Sequence, residues 1–178
     1  MPLRYRLLKA NSMSDDFSDI AESNSDYVAA FPGKDVPGLP AKKMLLLTCM
    51  DCRILPHQAL GMELGDMKVL RNGGGQLNSA IESDIVVANH ILDCDRILIM
   101  QHTQCGMVAA TLEGVRDAIQ SNTGVDASQF TPSVIDNQME KLTRDVKTLR
   151  NNPLLKSNVV VQGAMYDVET GKVDFLDE

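Results

Sequence analysis

Cys49, Asp51 and Arg53, followed after a gap by His102 and Cys105, supply two thiols, an imidazole and a carboxylate with a guanidinium beside it. That set suits a catalytic zinc ion. Zinc takes Cys sulfur and His nitrogen in a tetrahedral shell, and a catalytic site keeps three protein ligands and leaves the fourth position for water or substrate. Cys49, His102 and Cys105 make three. Such a shell lowers the pKa of a bound water, so that hydroxide is available near neutral pH to attack an electrophilic carbon.

The elements that must position these groups are legible in the apolar runs. Met44 to Cys49 reads as a buried strand, and if the extended conformation persisted, residues 49, 51 and 53 would point to one side with Asp51 and Arg53 beside the metal. Arg96 to Met100 is a second buried-strand run. It leads to His102, with Cys105 three residues on, where a helix could begin. Both halves place chemistry at the carboxyl ends of strands, where open α/β sheets bind ligands.

Cys49-Met50-Asp51-Cys52-Arg53 and His102-Thr103-Gln104-Cys105-Gly106 resemble the C-x-D-x-R and H-x-x-C signatures of the β-class carbonic anhydrases. Gly65-Asp66 and Val69-Leu70-Arg71-Asn72-Gly73-Gly74 resemble the segment between them, and the likeness runs in order over roughly residues 15 to 178. It is strongest to the short-chain branch, which also contains carbonyl sulfide hydrolases. The resemblance implies a zinc enzyme that hydrates carbon dioxide to bicarbonate and a proton, with carbonyl sulfide hydrolysis as the alternative. It also implies a homodimer or an assembly of dimers, built with help from the N-terminal arm. Asp51 would accept a hydrogen bond from the attacking oxygen, and Arg53 would hold Asp51 by a two-pronged ion pair that discourages it from binding the metal.

The punctuation predicts an α/β fold, a mainly parallel β-sheet flanked by helices, with an N-terminal helical arm and a C-terminal edge hairpin. One domain is expected over 1–178, with arm and linker over 1–40 and the catalytic core over 41–178. Ser14 could cap a helix within 14–31, and Pro32-Gly33 and Val36 to Pro40 form a linker. Pro56 to Leu64 reads as a short helix, Met67 to Leu70 as a strand, and Ser79 to Leu92 as a helix with Ile81, Ile85, Ala88 and Leu92 on one face. The spacing predicts a helix from Met107 to about Ile119, and another opened by Pro132 that carries Ile135, Met139, Leu142, Val146 and Leu149. Val159 to Val161 and Val173 to Phe175 flank Glu169-Thr170-Gly171-Lys172 as a hairpin.

Other candidates carry duller readings. Cys94 is read as core, because free cysteine is among the most buried residue types. His57 could shuttle protons but is read, like His90, as a surface or capping group. Gly73 to Gly75 misses the G-x-G-x-x-G spacing and is read as a tight turn. Cys52 creates a C-x-x-C that, with His102 and Cys105, could close a Cys3His structural site in a non-enzymatic module. Strand alternation puts residues 49 and 52 on opposite faces, although a turn after Cys49 could reverse that. A redox C-x-x-C would compete with zinc for the same sulfur.

The 178 residues can bury roughly two-thirds of the unfolded chain's surface, so a metal is not needed merely to hold the domain together. With 24 acidic and 17 basic side chains the formal charge is −7, which disfavours nucleic acid as a partner. No apolar run is long enough for a bilayer. Four cysteines without a recognisable signal peptide point to a reducing compartment and to the cytoplasm. Arg4, Arg6 and Lys9 make a mitochondrial address conceivable, but Asp15 and Asp16 interrupt it.

Overall fold

The computed structural model describes residues 17–177. These fall into two compact units divided between Asp35 and Val36. The first is built on helix α1 (Ser18–Ala29), which buries none of its residues and begins at Phe17 without a side-chain cap. Ser14, the expected cap, lies outside the described residues. Tyr27 and Phe31 lie one turn apart, with ring centroids 5.5 Å from each other.

The second unit is a five-stranded sheet in the order β2-β1-β3-β4-β5. Strands β1 (Met44–Cys49), β2 (Met67–Asn72), β3 (Arg96–His102) and β4 (Val160–Tyr166) run parallel, and β5 (Val173–Phe175) closes the edge antiparallel to β4. Parallel strands covered on both faces read as continuous apolar runs, which is why β1 is buried at every position and β3 at every position after Arg96.

Alternate residues feed two cores. Leu45, Leu47, Ile97, Ile99 and Val161 meet Ile85 and Ala88 of α3 (Ser79–Ile91) and Leu142, Val146 and Leu149 of α6 (Gln138–Arg150). Met44, Leu46, Leu98, Met100 and Ala164 pack with Ile54 and Met67 on the other side. Each fully buried aliphatic side chain contributes about 1.5–3 kcal/mol of transfer free energy. The sheet therefore stands on its hydrophobic layers.

Side-chain caps set helix starts more firmly than apolar periodicity does. Asn78 Oδ1 accepts from Ile81 N–H at 3.0 Å and starts α3 where the sequence predicts it. The helix expected over 107–119 is divided into α4 (Gly106–Ala109) and α5 (Leu112–Thr123), because Ala110 is extended and Thr111 Oγ1 caps Gly114 N–H. Helix α6 starts at Gln138, not at Pro132: Asn137 is extended, its Oδ1 takes Glu140 N–H at 3.2 Å, and the residues before it form neither helix nor strand. Helix α2 (Pro56–Ala59) is shorter than the expected 56–64, and Gly61 follows it in the left-handed region at φ 62°.

Candidate metal centre

The chain runs from β1 outward to β2, then returns across β1 to place β3 on its other side. Adjacent strands whose connections leave in opposite directions open a crevice at their carboxyl ends, the usual ligand position of open α/β sheets. Cys49 is the last residue of β1 and His102 the last of β3. Cys105, 2% exposed, precedes α4. The potential donor atoms of Cys49, His102 and Cys105 all lie within 4.8 Å of one another, and all three residues are buried.

The donor chemistry fits a metal. His102 Nδ1 lies 2.9 Å from the Thr103 carbonyl, so Nδ1 carries the proton and Nε2 presents its lone pair. Nε2 is buried with no hydrogen-bond partner among the described residues. An orphaned buried acceptor costs about 1–3 kcal/mol, a penalty that a metal bond removes. Burial pushes the His102 pKa down, which keeps the ring neutral at pH 7; nearby Asp51 opposes this. Burial pushes the Cys105 thiol up, while backbone N–H groups of Met107 and Val108 favour the thiolate that a metal requires. Gly74 N–H donates to Cys49 Sγ at 3.3 Å. These residues could hold a metal ion.

Asp51 and Arg53 arrive beside this group by a turn rather than by the expected strand extension. The strand ends at Cys49, and Ile54 N–H donates back to the Asp51 carbonyl at 3.1 Å. Arg71 on β2 secures the turn by donating to the carbonyls of Cys49 at 2.9 Å, Asp51 at 2.6 Å and Ile54 at 3.4 Å. Only a long, forked donor reaches three carbonyls of one loop. Residue type and spacing alone give Arg71 no such role, because the carbonyls it holds lie on a separate loop.

Within the turn, Asp51 Oδ1 accepts from both the backbone N–H and Nε of Arg53 at 2.9 Å, and Oδ2 accepts from Nη2 at 2.8 Å. Those Arg53 hydrogen bonds hold the Asp51 carboxyl well below the usual carboxylate range, and His102 nearby lowers it further. Asp51 Oδ2 is 3.9 Å from His102 Nε2. A charged carboxylate therefore borders the space in front of the candidate ligands. Arg53 also donates to the Gln104 side chain at 3.3 Å and to its carbonyl at 3.1 Å.

Cys52 is exposed and stands outside the buried three-residue group. The turn that brings in Asp51 leaves the intervening side chain facing solvent, which removes the geometric basis for a closed Cys3His site. Replacing Cys52 by serine is expected to leave both bound zinc and turnover within about twofold of the parent, because the exposed side chain lies outside the buried donor group and serine is close to it in size, so that the fold changes by no more than about 0.5 kcal/mol. Metal analysis beside an activity assay checks this, and loss of zinc would restore the closed-site reading.

The remaining candidates separate cleanly. Cys94 is fully buried in the core. His90 is exposed, with Nε2 2.8 Å from the Leu154 carbonyl. His57 sits half-buried on α2. Gly73 to Gly75 form the expected tight turn: Gly75 has φ 62°, and a Cβ there would meet Thr48 and Cys49 backbone at 2.9 Å. Any side chain at this position would push the turn off the end of β1. An apolar cavity of about 360 Å³ lies among Met44, Leu60, Met62, Leu98 and Phe175, and none of the candidate ligands lines it.

Among the described residues no helix is long and apolar enough to cross a membrane. The family model described as carbonic anhydrase matches residues 44–173. β-Carbonic anhydrase 1 of Mycobacterium tuberculosis is 28% identical over 156 residues, covering 88% of this chain and 94% of that protein. Carbon disulfide hydrolase of Acidithiobacillus thiooxidans is 30% identical over 156 residues, covering 75% and 77% of the two chains. The crystal structure of carbonic anhydrase from Streptococcus mutans superposes with a TM-score of 0.84 at 29% identity, covering 93% of this chain and all of that one. The family match across most of the sheet, the β-carbonic anhydrase relative along nearly its whole length and the superposition over 93% of the chain agree: the chain belongs to the β-carbonic anhydrase family.

Proposed function

We propose that this protein is a zinc enzyme that hydrates carbon dioxide to bicarbonate and a proton, with Cys49, His102 and Cys105 holding the metal. The observation that carries the reading is the Asp51 carboxylate, tied to Arg53 through both oxygens and 3.9 Å from the partnerless His102 Nε2. Zinc at such a centre supplies Lewis acidity, which makes a nucleophilic oxygen available from water near neutral pH.

The chain's own residues do the rest. Asp51, ionised because Arg53 donates to it, accepts a hydrogen bond from the attacking oxygen and aims its lone pair at the substrate carbon. Arg53 keeps both carboxylate oxygens engaged, which discourages Asp51 from taking the open metal position. Gly74 N–H withdraws charge from the Cys49 sulfur, and Thr103 fixes the His102 tautomer. Two thiolates offset the formal charge of the metal, so acidification of water depends on these neighbours more than at a three-histidine centre.

A second reading, hydrolysis of carbonyl sulfide or carbon disulfide, is favoured by the similarity to a protein named carbon disulfide hydrolase. All three substrates are small linear molecules with an electrophilic central carbon. One preparation with quantified zinc, assayed for bicarbonate formation and for hydrogen sulfide release, decides between them. A specificity constant at least about a hundredfold higher for carbon dioxide, roughly the discrimination that pocket contacts alone can supply, is the expected result. Efficient sulfide release with weak hydration would make the second reading correct.

Assembly and compartment follow the same proposal. A homodimer, or an assembly of dimers, would give cover to the exposed Ile20 and Val28 of α1 and to Phe17 just before it. Four free cysteines, two of them assigned to the metal, suit the reducing cytoplasm.

A further inference from the structure

Residues 133–145, read from their periodicity as part of one amphipathic helix, touch His102, the segment just beyond Cys105 and the turn that meets the Cys49 sulfur. Gln76 Nε2 donates to the Ser133 carbonyl at 2.9 Å. Ile135 N–H donates at 2.8 Å to the carbonyl of Met107, two residues beyond Cys105. Gln138 Nε2 donates to the carbonyl of His102 at 2.8 Å. The deepest contact comes from Asp145, 4% exposed, which accepts Leu77 N–H at 2.9 Å and pairs with Lys141. Lys141 Nζ also donates to the Leu77 carbonyl at 3.3 Å. Both backbone polar groups of Leu77 are thereby held by α6.

Leu77 ends the turn whose Gly74 N–H meets Cys49 Sγ. That turn is stiff. The Asn72 side chain accepts Gln76 N–H at 2.8 Å and donates to the Gln76 carbonyl at 2.7 Å, while Gln76 Nε2 returns to the Gly73 carbonyl at 2.9 Å. Gly75 lies directly against the end of β1. A rigid turn fastened at Leu77 moves Gly74 when Leu77 moves. Packing alone does not account for the ion pair, because two well-packed apolar side chains would fill the same volume without desolvating two charges.

The geometry points to Asp145 as a positioning residue for the Cys49 sulfur: paired with Lys141 and acting through Leu77, it fixes the turn that presents Gly74 N–H to the thiolate. Donors to a ligand atom tune the metal as well as orient the ligand. This inference rests on the zinc reading for its consequence at the metal, though not for the hydrogen-bond chain itself.

The test uses the full chain loaded with cobalt in place of zinc, whose sulfur-to-metal charge-transfer band reports thiolate charge. Asp145→Leu is expected to shift that band and to weaken zinc binding about tenfold or more, the scale of outer-partner losses at metal sites. Asp145→Asn keeps the side chain's volume and an oxygen for Leu77 N–H but loses the charge that pairs with Lys141, and should leave both nearer the parent values than Asp145→Leu does. If Asp145→Leu fails to fold by circular dichroism, Lys141→Met is expected to shift the band in the same direction. An unmoved band and unchanged affinity in a folded variant overturn the inference. A parent protein that takes up neither cobalt nor zinc sinks the zinc reading instead. Hydrogen exchange at the Gly74 amide of metal-free protein then decides: faster exchange in the Asp145 or Lys141 variant supports the positioning chain, and unchanged exchange overturns it.

Discussion

Cys49→Ala is expected to yield a folded protein that no longer retains zinc and has no measurable turnover. The sulfur sits at the end of β1, one side chain among two extensive apolar layers, so its removal leaves the packing of Leu45, Leu46 and Leu47 in place. The stability cost is on the order of 1 kcal/mol against a usual domain total of about 5–15 kcal/mol. The metal loses far more. Zinc binding at four-ligand structural sites is about 10–16 kcal/mol at pH 7, or about 2.5–4 kcal/mol per ligand, so losing one ligand costs roughly a hundred- to a thousandfold in affinity. Metal content after dialysis, set beside a thermal melt, separates the two terms. A variant that keeps one zinc per chain would remove Cys49 from the ligand set, and one that unfolds would show that the metal supports the fold.

Asp51→Asn is the second large effect, and it acts without touching metal content. The amide keeps the size of the carboxylate but loses its charge, and one of its two ends becomes a donor where Oδ2 faces His102 Nε2. Arg53 loses its anion, but its side chain is 41% exposed and can be solvated, so the turn held by Arg71 remains. Turnover should fall by about 100- to 1000-fold, the usual cost of removing one hydrogen-bonding group at the reacting oxygen. Because Arg53 holds the carboxyl so far below its usual range, Asp51 is charged throughout the neutral region, and protonation of Asp51 should not shape activity between pH 6 and 9. Unchanged turnover at full zinc occupancy would refute the role assigned to Asp51.

Much of this arrangement was legible in the chain because buried parallel strands announce themselves. The runs at 44–49 and 96–100 are apolar on both faces, and nothing else of that length competes with a strand there. The three candidate ligands followed from residue type at the strand ends. Periodicity failed where hydrogen bonds to the site outweigh it: Ile135 has helical spacing with Met139 and Leu142, yet its N–H serves the Met107 carbonyl and its segment stays outside the helix. The single helix expected after Cys105 failed at Thr111, whose hydroxyl offers Gly114 N–H a cap. The approach of Asp51 was expected from strand alternation and is produced by a turn, a difference that depends on Arg71 reaching three carbonyls from the neighbouring strand. Contacts such as Gly74 with Cys49, or Asp145 with Leu77, join residues far apart in sequence and leave no periodic trace.

The return of the chain across β1 has a consequence for how the protein is made. Cys49 leaves the ribosome about fifty residues before His102, and synthesis at roughly 5–20 residues per second separates them by several seconds. During that interval β1 can pair with β2 but not with β3, so the Cys49 thiol waits without its two companions. The residues of α6 that brace the loops emerge later still. A metal held by Cys49, His102 and Cys105 together could therefore be taken up only after β3 has been made, although β4 and β5 still follow in the chain.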